Sequence, residues 1–437
     1  MAKPMENQTL ELRPKGGGFL ETLKSIGPGL VVAFAWLGTG DLVDASVSGA
    51  NYGYDLMWVL CIALFCRYFF VNALAKYQLC NSNGDETIFH GFFRVWKGFP
   101  LLLGVSGYIM GFVYVSYMIR GTGVALYHLF GEVGNSFSWS IVGVLLAIYV
   151  TTRPRQLKAL EFVARTACVV IILTFIFAIF KTGVNIGAFI EGLSFGIPAN
   201  NDAFGALLIA VSIIGAVGGS AANLLYPYLM NDKGWKGPQQ RKLQIIDLLT
   251  GIVAIVVINL AIWIVAAETM YGQGQAIHNE VDLAAMMAQA VGPIGPLLLW
   301  ITVFFVCFTS YPTFSFGFTK LLLHGVHLST KRGEKYEKPE MDPKFKWFSV
   351  GGLLVVPLIF SMPFAPNLVT LTIVGNSLAV ITAPIIIVGI IFMTSRKSMM
   401  LPAYVNKWWE NLILGIVGCI GLWATYSLLM VLLEKLG

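Results

Sequence analysis

Charge is what this sequence has least of. Charged residues make up 12% of its 437 positions, against about 25% in soluble globular chains, and nearly all of them fall in short islands between apolar runs. The mean hydropathy is +0.74. Too little polar sequence remains for a large soluble domain. The apolar runs suffice for ten or more membrane crossings at about 20 residues each. Cysteine is also sparse: Cys61, Cys66, Cys80, Cys168, Cys307 and Cys419 include no CxxC pair, and five lie in apolar runs. They read as small buried residues rather than as disulfides or a metal cluster. Histidine is missing from mid-depth, since His90, His324 and His327 fall on inner segments and His128 and His278 near the outer face. That excludes a histidine proton relay. No nucleophile–base or phosphate-loop motif is present, so the chain does not read as an enzyme.

What is present is a ladder of apolar spans. Eleven are expected, at 27–50, 55–77, 100–129, 136–152, 159–180, 203–231, 244–268, 294–323, 347–363, 367–393 and 411–434. The polar first 24 residues lack an apolar signal core and read as a cytosolic tail, followed by one transmembrane domain over 25–437. Of the 29 basic residues, Arg67, Arg120, Arg165 and Lys320 lie within spans and only Lys181 and Lys435 on outer loops. All the others fall on alternate segments that start with the tail. This asymmetry puts the N-terminus inside, the C-terminus outside and the chain in a plasma (inner) membrane. It also explains the net charge of +6 without nucleic acid. The lipid bilayer is the one macromolecular partner expected.

Two spans carry helix breakers. Span 1 reads VVAFAW-LGTGD-LVDASVSGA, and span 6 reads LLIAVSIIGAVGGSAAN-LLYPYLM. Small residues serve close helix packing, but the second break comes five spans after the first. That spacing suits two inverted five-span repeats, 25–180 and 203–393, with helix 411–434 added. The substrate site would then lie at mid-depth between discontinuous helices. Unwound segments are expected near Leu37–Asp41 and Gly218–Ala222.

The run GPGLVVAFAWLGTGDLVDASVSGANYGYDLMWVL resembles the first two spans of the natural resistance-associated macrophage protein (NRAMP) family. That family reads GPG, AYLDPGN and AGA-x-YGY-x-LLW at the same spacing. ALAKY, RGTGVAL and RQLKALE extend the likeness across most of the chain. The resemblance implies an all-α LeuT-type fold and transport of divalent metal ions. Its substrate motifs are altered. The family's span 1 Asp-Pro-Gly-Asn falls on Gly38, Thr39, Gly40 and Asp41, and its span 6 Met-Pro-His-Asn on Ser220, Ala221, Ala222 and Asn223. A span 10 Gln falls on Asn376. Two span 3 acids of its proton route fall on Val115 and Met118, and a span 9 Arg on Gly351.

The residues therefore have to supply their own site. Asp41, Asn223, Asn376, Ser220 and the backbone at Gly38 are the candidate ligands, with Asp44, Arg67, Arg120 and Thr39 as accessories. Asp41 is suited to N-cap a helix resuming at Leu42, and with Asp44 one turn outward it could hold a cation or an amine. Arg67 and Arg120 are suited to neutralise these acids, to replace a coupling proton or to meet an anionic group. Tyr114, Ser116, Tyr117, Thr309, Ser310 and Tyr311 add hydroxyls. Glu161 and Arg165 read as a structural i, i+4 pair, and Asp247 and Lys320 as interfacial. One carboxylate with amides, hydroxyls and carbonyls suits a hard ion such as Mg²⁺ or Mn²⁺, carried as substrate and not held as cofactor. The alternatives are a transporter of a small organic solute on the same fold, or a non-transporting sensor or scaffold with Lys331–Lys346 as its partner site.

Overall fold

The computed structural model describes residues 39–152, 171–199 and 204–436. Within them the chain is helical and no strand forms, apart from one isolated bridge between Asn81 and Met400. Lipid offers no partner to a backbone N–H or C=O, so apolar runs of this length satisfy themselves as helices. Eight helical stretches are long and apolar enough to cross a membrane. They coincide with expected spans 2, 3 and 6–11. Span 4 is the shorter helix Ser136–Thr151 and span 5 is described from Ile171. Span 1 is described from Thr39. Gly38, Glu161, Arg165 and Cys168 lie outside the described residues.

In chain order the helices are α1 (Thr39–Tyr52), α2 (Met57–Cys80), α3 (Ile88–Val95), α4 (Phe99–Leu129), α5 (Ser136–Thr151), α6 (Ile171–Thr182) and α7 (Ile186–Glu191). They continue as α8 (Ala206–Ile213), α9 (Leu225–Asp232), α10 (Arg241–Thr269), α11 (Glu280–Val291), α12 (Gly295–Ser329), α13 (Leu368–Ala379), α14 (Ala383–Ser395) and α15 (Trp408–Leu436). Their starts follow local chemistry. Asn135 Oδ1 accepts from Ser138 N at 2.8 Å and Asn367 Oδ1 from Thr370 N at 2.8 Å. Asn279 and Asp282 form a capping box, satisfying N–H groups that a helix leaves open. The short α3, α7 and α11 lack the length of a span and were not expected.

The two ends of the bundle are sorted. At one end the basic loops touch one another: Ser329 bonds the Lys97 carbonyl, Lys76 pairs with Glu410 at 2.6 Å, and Arg332 with Asp342. At the other, Asn51 bonds Ile277, Asn367 bonds His278, and Tyr54 bonds Glu268. Lys320 lies at the basic end, as expected, 2.8 Å from Glu340. Asp247 departs from expectation: it is fully buried, because the Tyr226 hydroxyl of α9 reaches it at 3.1 Å. Among the described cysteines no disulfide forms, and Cys61 and Cys419 are exposed on the bundle surface rather than buried.

Span 6 is broken where expected, and over a longer stretch. α8 runs into a π turn at Ile214–Gly218, and Gly219 and Ser220 are extended. A 3-10 turn at Ala221–Leu224 then leads into α9. The freed groups find partners: Ser220 Oγ accepts from Ala222 N, and Thr382 Oγ1 from Ala221 N at 3.1 Å. Span 1 differs from expectation. Thr39, Gly40 and Asp41 are already helical, so Asp41 does not cap a helix resuming at Leu42. Span 9 is irregular throughout, π-wound over Trp347–Val355 and 3-10 over Val356–Ser361.

Candidate substrate site

At mid-bundle a cavity of about 30 Å³ opens between α1, α2, α4, the span 6 break, α12 and α13. Its polar lining is Asp41, Arg67, Tyr114, Tyr117, Ser220 and Asn376. That volume holds one or two water molecules, roughly, or a small ion.

Asn376 is the hub. Its Oδ1 accepts from the Tyr117 hydroxyl at 3.1 Å, and its Nδ2 donates to Asp44 Oδ2 at 2.9 Å. Two glycines let span 1 and the broken span 6 reach it. A Cβ on Gly40 would lie 2.7 Å from Asn376 Nδ2, and one on Gly215 would lie 1.9 Å from the Asn376 carbonyl oxygen. Side chains at either position would hold span 1 or span 6 away from α13.

Asp41 is 2% exposed and faces the cavity. The Asn259 amide on α10 donates to its Oδ1 at 3.3 Å. Arg67 shares the cavity, interacts electrostatically with Asp41, and donates from Nη2 to the Ala216 carbonyl in the π turn at 3.5 Å. The site is therefore an acid and a base set among neutral oxygens, and not a cluster of acids. Among the described residues, no three His, Cys, Asp or Glu side chains gather as a metal cluster would.

Several expected residues fall elsewhere. Asp44 does not line the cavity with Asp41, because Ser212 Oγ takes its Oδ1 at 2.7 Å and Asn376 its Oδ2. Arg120 meets neither acid. It donates to the Phe360 carbonyl at 3.2 Å and lies 4.0 Å from Glu280, at the non-basic end of the bundle. The irregular winding of span 9 frees the carbonyls that hold it there. Thr39 contacts the Cys307 thiol at 2.7 Å. Asn223 is 1% exposed in the 3-10 turn and is not on the cavity lining. Of the hydroxyls, Ser116 bonds its own helix, Thr309 likewise, and Tyr311 bonds the Gly143 carbonyl at 2.7 Å.

Other participants were not anticipated. Asn259 and Ser212 are polar residues inside apolar spans, a signal that sequence does carry. Ala216 contributes only its carbonyl and Phe314 only its ring, so nothing in their identity marks them. Met118 brings a thioether to the lining from α4, where the resemblance pointed only to a lost acid.

Solved structures share this fold. A variant of the Eremococcus coleocola manganese transporter superposes with a TM-score of 0.72 at 16% identity, over 97% of this chain and 89% of that one. MhsT in complex with L-phenylalanine superposes with a TM-score of 0.55 at 14% identity, over 93% and 97%. These likenesses establish the LeuT-type fold. In sequence, the divalent metal cation transporter MntH of Caldanaerobacter subterraneus subsp. tengcongensis is 24% identical over 263 residues, 59% of this chain and 61% of that protein. The chain thus matches less than two thirds of that relative's length. The family described as natural resistance-associated macrophage protein-like matches residues 29–431. The chain is an integral membrane protein and belongs to the NRAMP family.

Proposed function

We propose that the chain is a secondary transporter that carries a hard divalent cation, Mg²⁺ or Mn²⁺, through the Asp41 cavity. The observation that carries this reading is the donor set. One carboxylate, one amide and three hydroxyls meet in a space of about 30 Å³, which suits a small ion retaining some of its water. Asp41, Asn376 and Ser220 are the proposed ligands, with Tyr114 and Tyr117 beside them. The backbone at Gly38 stays a candidate from sequence alone, and the Asn223 amide, which is off the lining, could join only if the span 6 turn rearranges. MntH is named a divalent metal cation transporter and the Eremococcus protein a manganese transporter, which supports the same class. The cation is the substrate, and no resident cofactor is invoked. In this reading the tail at 1–24 and the basic end of the bundle face the cytosol, the C-terminus lies outside, and the chain acts in the plasma (inner) membrane as one domain over 25–437.

Arg67 favours a second reading, a small zwitterion with its amine on Asp41 and its carboxylate on Arg67. The small size of the cavity in this conformation favours the ion over the zwitterion.

The deciding experiment is calorimetry on purified protein with Mg²⁺, Mn²⁺, Cd²⁺ and small amino acids in parallel. Saturable Mn²⁺ or Mg²⁺ binding, with Cd²⁺ no tighter, is expected. Cd²⁺ binding far above Mn²⁺ would make Met118 a ligand and end the hard-ion assignment. Binding of an amino acid alone would establish the second reading.

A further inference from the structure

The cation reading gives the buried positive charge in the cavity no task, although a charge in the membrane interior is costly. Arg67 is 3% exposed. It lies ten residues into α2, which starts at Met57, or about 15 Å from that end at 1.5 Å per residue. That is too far for its head group to snorkel to water. A guanidinium does not deprotonate in proteins, so the charge persists only if opposite charge and acceptors surround it.

The cavity supplies both from separate elements. Asp41 comes from span 1, and the Ala216 carbonyl comes from the π turn of span 6. The Tyr114 hydroxyl comes from α4. A carboxylate, a main-chain carbonyl and a hydroxyl are the oxygen types that a hard inorganic cation takes. Here the carbonyl accepts from a guanidinium delivered from a fourth element, α2, and the carboxylate and hydroxyl line the same cavity as that guanidinium. The contrast with Arg120 is informative, because that arginine sits at the end of the bundle on carbonyls and Glu280.

We infer that Arg67 is a built-in counter-cation, filling the cation position between spans 1 and 6 so that the empty carrier needs no external monovalent ion to hold the two together. The inference rests on the transport reading only for the word carrier. Its test reads folding and ion binding, so the two can fail separately.

Full-length parent, Arg67→Gln, Asp41→Asn and the Asp41→Asn/Arg67→Gln double variant would be unfolded thermally in choline, sodium, potassium and methylguanidinium chlorides at equal ionic strength. The parent is expected to melt at the same temperature in all four. Arg67→Gln is expected to melt lower in choline and to recover by several degrees in methylguanidinium, or in an alkali cation, as a small cation refills the position. The double variant is expected to be more stable than either single variant in choline, because it leaves no buried charge uncompensated. If Arg67→Gln does not fold in choline, the comparison is made on protein prepared in methylguanidinium and on the double variant. Three results would each overturn the inference: Arg67→Gln indifferent to every cation, the parent stabilised by sodium or potassium as strongly as that variant, or a double variant no more stable or foldable than the singles.

Discussion

Asn376 Nδ2 donates to Asp44 Oδ2 at 2.9 Å, tying span 10 to span 1 directly beside the cavity. With the Ser212 hydroxyl on the other oxygen at 2.7 Å, Asp44 becomes the clamp that fixes the Asn376 carboxamide, and only the far side of that amide faces the site. Replacing Asp44 by Ala strands a buried amide N–H and a buried hydroxyl, at roughly 1–3 kcal/mol for each group. Asp44→Ala is therefore expected to lower the denaturation midpoint and to weaken cation binding through a misoriented Asn376. An unchanged midpoint would mean that both donors find other acceptors.

Gly215 makes a sharper steric prediction. Its ideal Cβ would sit 1.9 Å from the Asn376 carbonyl oxygen, a backbone atom that no rotamer change can clear. Gly215→Ala must push the π turn away from α13, at a cost of about 1–3 kcal/mol, and should abolish high-affinity binding. Gly415→Ala, where a Cβ meets nothing within 4 Å, is the control. Equal melting temperatures and equal affinities for the two variants would remove the close-approach argument.

Sequence told much of this fold and only part of this site. Apolar runs without charge have few structures open to them in lipid, so the helices were legible. The Gly218–Gly219–Ser220 run marked the span 6 break. The π turn before it left no side-chain signature, because it changes which carbonyl pairs with which N–H and not which residues are buried. Asp41 was legible as a costly intramembrane charge. That Arg67 and not Arg120 shares its cavity was not legible, since both are single arginines in apolar helices and the carbonyls holding Arg120 come from an irregular span 240 residues away. Asp44 was misassigned to the cavity for a related reason: its neutral partners, Ser212 and Asn376, lie on spans 6 and 10.

At the basic end of the bundle, Asp342 carries a pH prediction. The Arg332 guanidinium donates to its Oδ1 at 2.7 Å, His327 and the Lys344 N–H also meet it, and together they hold its carboxyl well below the usual carboxylate range. A carboxyl that is more acidic in the folded state contributes its stability in full above the unfolded value of about 3.9. That contribution is lost as pH falls toward the folded value. The melting-temperature gap between the parent and Asp342→Asn should be constant near neutrality and close below about pH 4. A gap that widens with acid would reverse the sign and refute the assignment.

Val115 and Met118 are buried on α4, and Gly351 lies in the π-wound part of span 9. None of the three can exchange a proton where the resemblance places the family's proton route. Cation uptake into liposomes holding a trapped pH dye is expected to proceed without matching acidification. Proton influx that rises and falls with the transported metal would require another route.

The last prediction concerns Asp41, and Arg67 makes it a two-sided one. Both line the same cavity, and a divalent ion placed there is attracted by the first and repelled by the second. Asp41→Asn keeps the size of the side chain and an oxygen for Asn259 to bond, removing only the charge. If Asp41 neutralises the ion, Mn²⁺ affinity should fall at least tenfold, about 1.4 kcal/mol. Arg67→Gln removes the repulsion at a few ångströms, where even an effective dielectric of about 20 leaves several kcal/mol of Coulomb energy. Net of lost preorganisation, Mn²⁺ should bind that variant tighter, again by at least tenfold. A structural role alone would weaken binding in both variants through loss of fold, so opposite shifts in calorimetric affinity, measured on monodisperse protein, separate direct electrostatics from collapse. Parent-like affinity in Asp41→Asn would leave the site to Asn376, the hydroxyls and the freed backbone.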